Sequence, residues 1–147
     1  MAGASKSLSP HPRFVLDASM ALSWCFPDER SKASVSLLVS LTDGAAAVPP
    51  LWFLEVSNAL LVGERRKRLS GEETTEAMAL LSQLPLHIDD RAGFPLATSL
   101  LSIARRYNLS AYDAAYVELS QHLGLPLATL DRRLKKTARS MGIALAV

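Results

Sequence analysis

The sequence predicts an α/β domain built on a central, mainly parallel sheet of about five strands. Short apolar runs alternate along the chain with longer helix-like segments, as strand–helix units do. Proline, glycine and aspartate separate these segments and mark most of the boundaries. The 147 residues suffice for one such domain, which we expect to cover residues 13–147 after a loose tail, residues 1–12.

Five short apolar segments are predicted as strands, because each is brief, apolar and bounded by turn-forming residues or by a helical pattern. They are residues 13–16 (RFVL), 45–48 (AAAV), 86–88 (LHI), 126–130 (PLATL) and 143–147 (IALAV).

The intervals between these strands carry helical patterns. The clearest start is Ser-Gly-Glu-Glu at 70–73, a capping box, and Pro85 prevents that helix from continuing. Gly124 and Gly142 end the last two helices. The predicted helices are a short one after Asp17 and longer ones near 30–42, 51–68, 70–84, 95–107, 110–123 and 131–141.

Composition excludes several classes of protein. The single cysteine, Cys25, cannot form an internal disulfide, and no Cys or His cluster is present to bind zinc. We therefore expect a reducing, cytoplasmic setting. No run approaches the roughly 18 apolar residues of a membrane span, and the tail lacks the apolar centre of a signal peptide, so we expect no membrane association.

Four acidic residues are expected to meet at one edge of the sheet. The carboxyl ends of parallel strands and the starts of the following helices collect at that edge. Asp17 directly follows the first strand, and Asp131 directly follows the fourth. Glu55 lies in the opening turns of the helix after the second strand, and Asp113 begins the helix that leads to the fourth.

Three of these acids also have a purely structural explanation. Asp17 and Asp131 stand where they could cap a helix, and Asp113 ends a capping box that starts at Ser110. Glu55 lies in an apolar helix that we expect to be largely buried, so its charge needs a partner. Asp89 and Asp90 also follow a strand, and position alone does not exclude them.

Four converging carboxylates repel one another, so they require bound cations or raised pKa values. Oxygen ligands without Cys or clustered His favour Mg²⁺ or Mn²⁺ over zinc. The chemistry that matches such a site is phosphoester hydrolysis, in which metal ions activate a water molecule and stabilise charge on the reacting oxygens.

Three segments of the sequence resemble PIN-domain ribonucleases of the VapC type, the toxins of bacterial toxin–antitoxin pairs. They are FVLDASMALSW at 14–24, VPPLWFLEVSNAL at 48–60 and LSAYDAAYVELSQHLGLPLATLDRRL at 109–134. The resemblance implies a three-layer α/β/α PIN-like domain with divalent-metal-dependent ribonuclease activity. It also argues against Asp89 and Asp90, to which we assign turn or strand-end roles.

The resemblance assigns a role to each matching residue. It makes Asp17, Glu55, Asp113 and Asp131 the catalytic acids that hold Mg²⁺ or Mn²⁺. It implies that Ser19 and Thr129 orient these ligands. Asn58 would contact metal-bound water or substrate, although it could equally satisfy local backbone groups.

The implied partners are an RNA of the tRNA or rRNA class, a small antitoxin whose segment lies in the groove over the site, and a second copy in a homodimer. Basic residues directly after Asp131 are expected to contact the RNA backbone. They are Arg132, Arg133, Lys135 and Lys136. The other basic run, residues 65–68, is interpreted mainly as a solvated helix end on the far side from the acids.

Other parallel α/β proteins with acidic sites fit less well. A receiver-type phosphoacceptor needs adjacent acids after the first strand and a lysine after the last, and a haloacid-dehalogenase-type phosphatase needs Asp-x-Asp. The sequence has Asp17-Ala18-Ser19 instead. The remaining alternative is a catalytically inactive PIN-like module that binds RNA or protein.

Overall fold

The computed structural model describes residues 10–147, in which four parallel strands form the central sheet. The α/β class with a parallel sheet is therefore confirmed. Residues 1–9, most of the predicted tail, lie outside the described residues. The strands are β1 (Pro12–Leu16), β2 (Ala45–Val48), β3 (Leu86–Ile88) and β4 (Leu127–Ala128), in the spatial order β3-β2-β1-β4.

The two middle strands are buried on both sides. Val15 and Leu16 of β1 are completely buried, and so is every residue of β2 to within a few per cent. Successive side chains of a strand point to opposite faces of the sheet, so helices must cover both faces. This burial gives the three-layer α/β/α arrangement.

Seven α-helices lie between and after the strands in the described part of the chain. Each lies within three residues of its predicted bounds. They are α1 (Ala18–Ser23), α2 (Lys32–Val39), α3 (Leu51–Arg65), α4 (Gly71–Ser82), α5 (Phe94–Tyr107), α6 (Ala111–Leu123) and α7 (Arg132–Ser140). Within residues 10–147, none of these helices combines the length and apolar character needed to cross a membrane.

The helix ends follow the local signals. The Ser70 hydroxyl accepts a hydrogen bond from the Glu73 N–H at 3.1 Å, and the Glu73 carboxylate accepts one from the Ser70 N–H at 2.7 Å. This reciprocal pair confirms the predicted capping box at the start of α4. Gly124 ends α6 with φ 66°, a left-handed conformation that glycine adopts without strain.

The prediction of about five strands is wrong by one. The segment predicted as the last strand forms only an isolated parallel bridge, between Leu127 and Leu145. Its partner β4 has just two residues, because Pro126 cannot donate a ladder hydrogen bond and the chain turns towards Asp131 directly afterwards. Because β4 is so short, residues 143–147 pair with it at a single bridge and do not form a strand.

Candidate metal centre

Asp17 lies where β1 ends and α1 begins. Its backbone N–H donates to the Ala128 carbonyl at 3.0 Å, which joins this point to β4. Its side chain makes no cap hydrogen bond to α1. Instead, Asp17 Oδ2 accepts hydrogen bonds from Ser19 Oγ at 2.5 Å and from Thr129 Oγ1 at 2.6 Å. Helix capping therefore does not explain this carboxylate.

The two hydroxyl groups that hold Asp17 are themselves held by the backbone. Ser19 Oγ accepts a hydrogen bond from the Leu130 N–H, and Thr129 Oγ1 accepts one from the Asp131 N–H, both at 3.0 Å. A hydroxyl has one proton to donate, and here both protons go to the same carboxylate oxygen. Asp17 Oδ1 accepts no hydrogen bond from residues 10–147 and stays available as a ligand.

Glu55 projects from the second turn of α3 and is half-buried. Its Oε1 accepts a hydrogen bond from the phenol hydroxyl of Tyr116 on α6, at 2.5 Å. Tyr116 is completely buried and belongs to none of the sets predicted from the sequence. Its spacing from Asp113 is the signal that could have identified it, because residues three apart share one face of a helix.

Asp113 and Asp131 begin α6 and α7. The Ser110 hydroxyl caps α6 by accepting from the Asp113 N–H at 3.0 Å, and among the described residues the Asp113 carboxylate accepts no hydrogen bond from the Ser110 N–H in return. Asp131 does cap its helix, since Oδ1 accepts from the N–H groups of Arg133 and Leu134 at 2.8 and 3.0 Å. Its second oxygen remains outside that cap.

The acids lie close enough to disturb one another. Burial raises the pKa of Asp17, and the negative charges of Asp113 and Asp131 raise it further against the opposing effect of the two hydroxyls. Burial is also the main cause of the raised pKa of Glu55, with contributions from Asp17 and Asp113. The pKa of Asp113 is raised by burial and then by Asp131. The structure thus brings the four predicted acids into one cluster.

The donor atoms of this cluster fit a hard divalent cation. They are all carboxylate oxygens, which Mg²⁺ and Mn²⁺ prefer. As the side chains stand, no group of three or more His, Cys, Asp or Glu residues within 10–147 has the geometry to enclose an ion.

Asp89 and Asp90 stand apart from the cluster. Asp89 accepts hydrogen bonds from the Arg91 guanidinium at 3.0 and 3.1 Å. The same guanidinium donates to both oxygens of Glu118 on α6, at 2.8 and 2.7 Å. Asp90 is exposed. Asp89 therefore ties the end of β3 to α6.

The basic residues after Asp131 differ in their contacts. Arg132 and Lys136 are exposed and form no ion pair or hydrogen bond through their side chains within residues 10–147, and Lys135 is half-buried. Arg133 donates to the Asn108 carbonyl at 2.5 Å, which joins α7 to the α5–α6 connection. Asn58, predicted to contact metal-bound water, is exposed one turn after Glu55.

A groove of about 390 Å³ runs from the acidic cluster along α3. Asp131 and Ser19 line it, as do the apolar side chains of Phe26 and Val62. Arg66 and Arg68 line it too, so the prediction that the basic run 65–68 lies on the far side is wrong for these two residues. The groove follows the helix to its C-terminal end, which the sequence pattern did not indicate.

Thr129→Val is expected to reduce any metal-dependent activity of this site by about 10- to 100-fold, the usual cost of removing a group that orients a ligand. The variant keeps the shape of the side chain but removes one proton donor from Asp17 and the acceptor of the Asp131 N–H. Thr75→Val is the matched control, because the Thr75 hydroxyl donates only to the Gly71 carbonyl on α4. Equal activity in the two variants would contradict the orienting role of Thr129.

By sequence, the chain matches one protein family and individual members of it. Residues 14–140 match the family described as PIN domain. The chain is 36% identical over 108 residues to "Ribonuclease VapC1" of Mycobacterium tuberculosis, which covers 71% of this chain and 77% of that relative.

Solved structures share the fold at lower identity. PAE2754 from Pyrobaculum aerophilum superposes with a TM-score of 0.66 at 24% identity, covering 86% of this chain and 79% of that one. A toxin-antitoxin complex from Klebsiella pneumoniae superposes with a TM-score of 0.62 at 16% identity, covering 91% and 98% of the two chains.

Proposed function

The chain belongs to the PIN domain family, and from this premise we propose that it is a divalent-metal-dependent endoribonuclease, the toxin of a toxin–antitoxin pair. The observation that carries the proposal is the cluster of Asp17, Glu55, Asp113 and Asp131 at the carboxyl edge of the sheet, where burial and mutual charge raise the pKa values of three of them. The VapC1 relative is named a ribonuclease, and its identity over most of both chains supports the same reaction here.

In this proposal, the four acids hold Mg²⁺ or Mn²⁺. When bound, such an ion supplies an activated water molecule and offsets charge on the attacking and leaving oxygens of the phosphodiester. The chain's own contribution is orientation. Ser19 and Thr129 hold Asp17 in place from two segments, and Asp131 is fixed by the first turn of α7. Asn58 lies exposed beside Glu55, where it can contact substrate or ordered water.

The proposed substrate is a structured RNA of the tRNA or rRNA class. Once a cation offsets the four carboxylates, the sixteen Lys and Arg residues outnumber the remaining acids, so the molecule attracts a polyanion. Arg132 and Lys136, exposed on α7 beside Asp131, are the side chains we assign to the phosphate backbone, with Lys135 between them. Arg133 contributes mainly by joining α7 to Asn108.

The proposed protein partner is a small antitoxin that occupies the groove along α3. Apolar side chains such as Phe26 and Val62 suit the apolar residues of a bound peptide segment, and Arg66 suits an acidic one. The Klebsiella relative in fold is itself a toxin-antitoxin complex. A segment in this groove would also cover Asp131 and block access to the acids.

We also propose that the protein acts as a homodimer in the cytoplasm. Phe94 is 87% exposed and Leu101 is 48% exposed on α5, which has no buried residue of its own. Burial of these side chains against a second copy would stabilise a dimer through the hydrophobic effect. The inactive binding module is not favoured, because the acidic cluster is complete and its hydroxyl partners are in place.

The test is cleavage of total RNA by purified protein, with the cut sites determined by sequencing. We expect cleavage with Mg²⁺ or Mn²⁺, none in a chelator, and recovery when the metal is added back in excess. Asp113→Asn protein purified in the same way is the control for contaminating nuclease and should be inactive. Equal cleavage in the chelator, or by the Asp113→Asn protein, would rule out the proposed metal mechanism.

A further inference from the structure

We propose that Tyr116 is a positioning residue for the acidic cluster: its hydroxyl group fixes one carboxylate oxygen of Glu55 and leaves the other free to bind the metal ion. The inference rests on the proposed function and concerns a residue that no sequence pattern singled out. Its starting point is one contact, the 2.5 Å hydrogen bond from Tyr116 Oη to Glu55 Oε1.

The contact has the properties of a strong, directional hydrogen bond. Its length falls in the range of charge-assisted bonds between a hydroxyl and a carboxylate, which are about twice as strong as neutral ones. Within residues 10–147, Tyr116 is the only side chain that donates to Glu55. Glu55 Oε2 therefore keeps its full capacity to act as a ligand, while Oε1 is committed to the phenol.

Tyr116 is well placed to impose this orientation. A glutamate side chain has three rotatable bonds and needs an external constraint, whereas the tyrosine ring is completely buried and cannot swing away. Tyr116 lies one turn after Asp113 on α6, and Glu55 lies on α3, 61 residues earlier in the chain. The bond thus sets the position of one acid relative to the helix that carries another.

Comparable constraints act on two of the other three acids. Ser19 and Thr129 hold Asp17, and the first turn of α7 holds Asp131. Tyr116 provides Glu55 with the same kind of partner from a third segment. Preorganisation of this kind lowers the cost of bringing like charges around one ion, because each carboxylate loses less freedom when the ion binds.

The test compares Tyr116→Phe with Tyr112→Phe. Phenylalanine preserves the buried ring and removes only the hydroxyl, whereas Tyr112 lies on the same helix and is 67% exposed. We expect calorimetric titration with Mn²⁺ to give a Kd about 10- to 100-fold higher for Tyr116→Phe and an unchanged Kd for Tyr112→Phe. Thermal melting of the metal-free proteins verifies that both variants are folded.

A second measurement separates positioning from general damage. Cleavage is measured as a function of Mn²⁺ concentration, and Tyr116→Phe should need more Mn²⁺ for half-maximal rate while approaching the parent rate at saturation. A lower saturating rate with an unchanged half-maximal concentration would indicate a structural role only and overturn the inference. An unchanged Kd would also overturn it and leave the proposed function standing. Failure of the parent protein to bind Mn²⁺ would overturn both.

Discussion

Replacing Asp17 by asparagine is expected to reduce RNA cleavage by about a hundredfold or more and to raise the melting temperature of the metal-free protein. The loss of activity follows because a bound cation supplies several kcal/mol of charge stabilisation in the transition state, and each 1.36 kcal/mol corresponds to a tenfold change in rate. The asparagine side chain would present a neutral amide oxygen where a charged ligand is needed.

The gain in stability has a separate cause. Burial raises the pKa of Asp17, so the folded state binds a proton more tightly than the unfolded chain does. The ionised carboxylate therefore destabilises the folded state at neutral pH. This destabilisation begins to decrease as the pH falls below the folded-state pKa and is gone below the unfolded-state pKa. The substitution removes the charge, and the new amide oxygen can accept the hydrogen bonds of Ser19 and Thr129 that Asp17 accepts.

The measurement is thermal melting in a chelator at several pH values, together with RNA cleavage in Mn²⁺. The difference in melting temperature between Asp17→Asn and the parent should be largest near neutral pH and should shrink towards acidic pH. Asp90→Asn is the control, because Asp90 is exposed and lies outside the cluster. Full cleavage by Asp17→Asn would show that the acid is wrongly assigned, and a lower melting temperature would contradict the charge argument.

Replacing Arg91 by methionine is expected to lower the free energy of unfolding by about 3 kcal/mol. Arg91 pairs with Asp89 and Glu118, whose side chains are only 10% and 12% exposed. Removing one partner of a buried ion pair leaves uncompensated charge and costs about 3–5 kcal/mol, and the lower value applies because Arg91 itself is 28% exposed. Methionine preserves much of the apolar stem of the side chain.

Denaturant unfolding measures this loss, and Arg13→Met provides the contrast. Arg13 also forms an ion pair, with Asp43 at 3.0 Å, but the two side chains are 49% and 77% exposed. Exposed pairs contribute about 1 kcal/mol or less. Similar losses in the two variants would mean that the Arg91 pairs contribute no more than a surface contact. A large loss would show that stability depends on the link between β3 and the helix that carries Asp113.

Sequence reasoning correctly predicts those parts of the molecule that depend on local signals or on the topology of the sheet. The capping box at Ser70 and the stop at Gly124 act within a few residues, so α4 and α6 could be located closely. The grouping of the acids follows from parallel strands, whose carboxyl ends share one edge. The prediction of a strand at residues 143–147 failed because the pairing of this segment depends on the length of β4. No pattern within residues 143–147 encodes that length.

Distant contacts account for what the sequence left open. Asp17 and Asp131 both stand at helix starts, yet only Asp131 uses its side chain as a cap. The difference arises from Ser19 and from Thr129, the second of which is 112 residues away from Asp17 in the chain. Tyr116 was missed and Arg66 was placed on the wrong side for the same reason, because packing decides which way a tyrosine or an arginine points and the sequence pattern does not.

The pairing of β1 with β4 also limits when the proposed site can form during synthesis of the chain. Asp17 precedes Thr129 by 112 residues, and Asp131 follows two residues later, so a growing chain that stops before residue 131 has at most three of the four acids. Contacts between such distant residues form late in folding because the intervening loop must first be closed. The proposed site is therefore expected to assemble only after residue 131 has been synthesised, so activity should appear late in the synthesis of this domain.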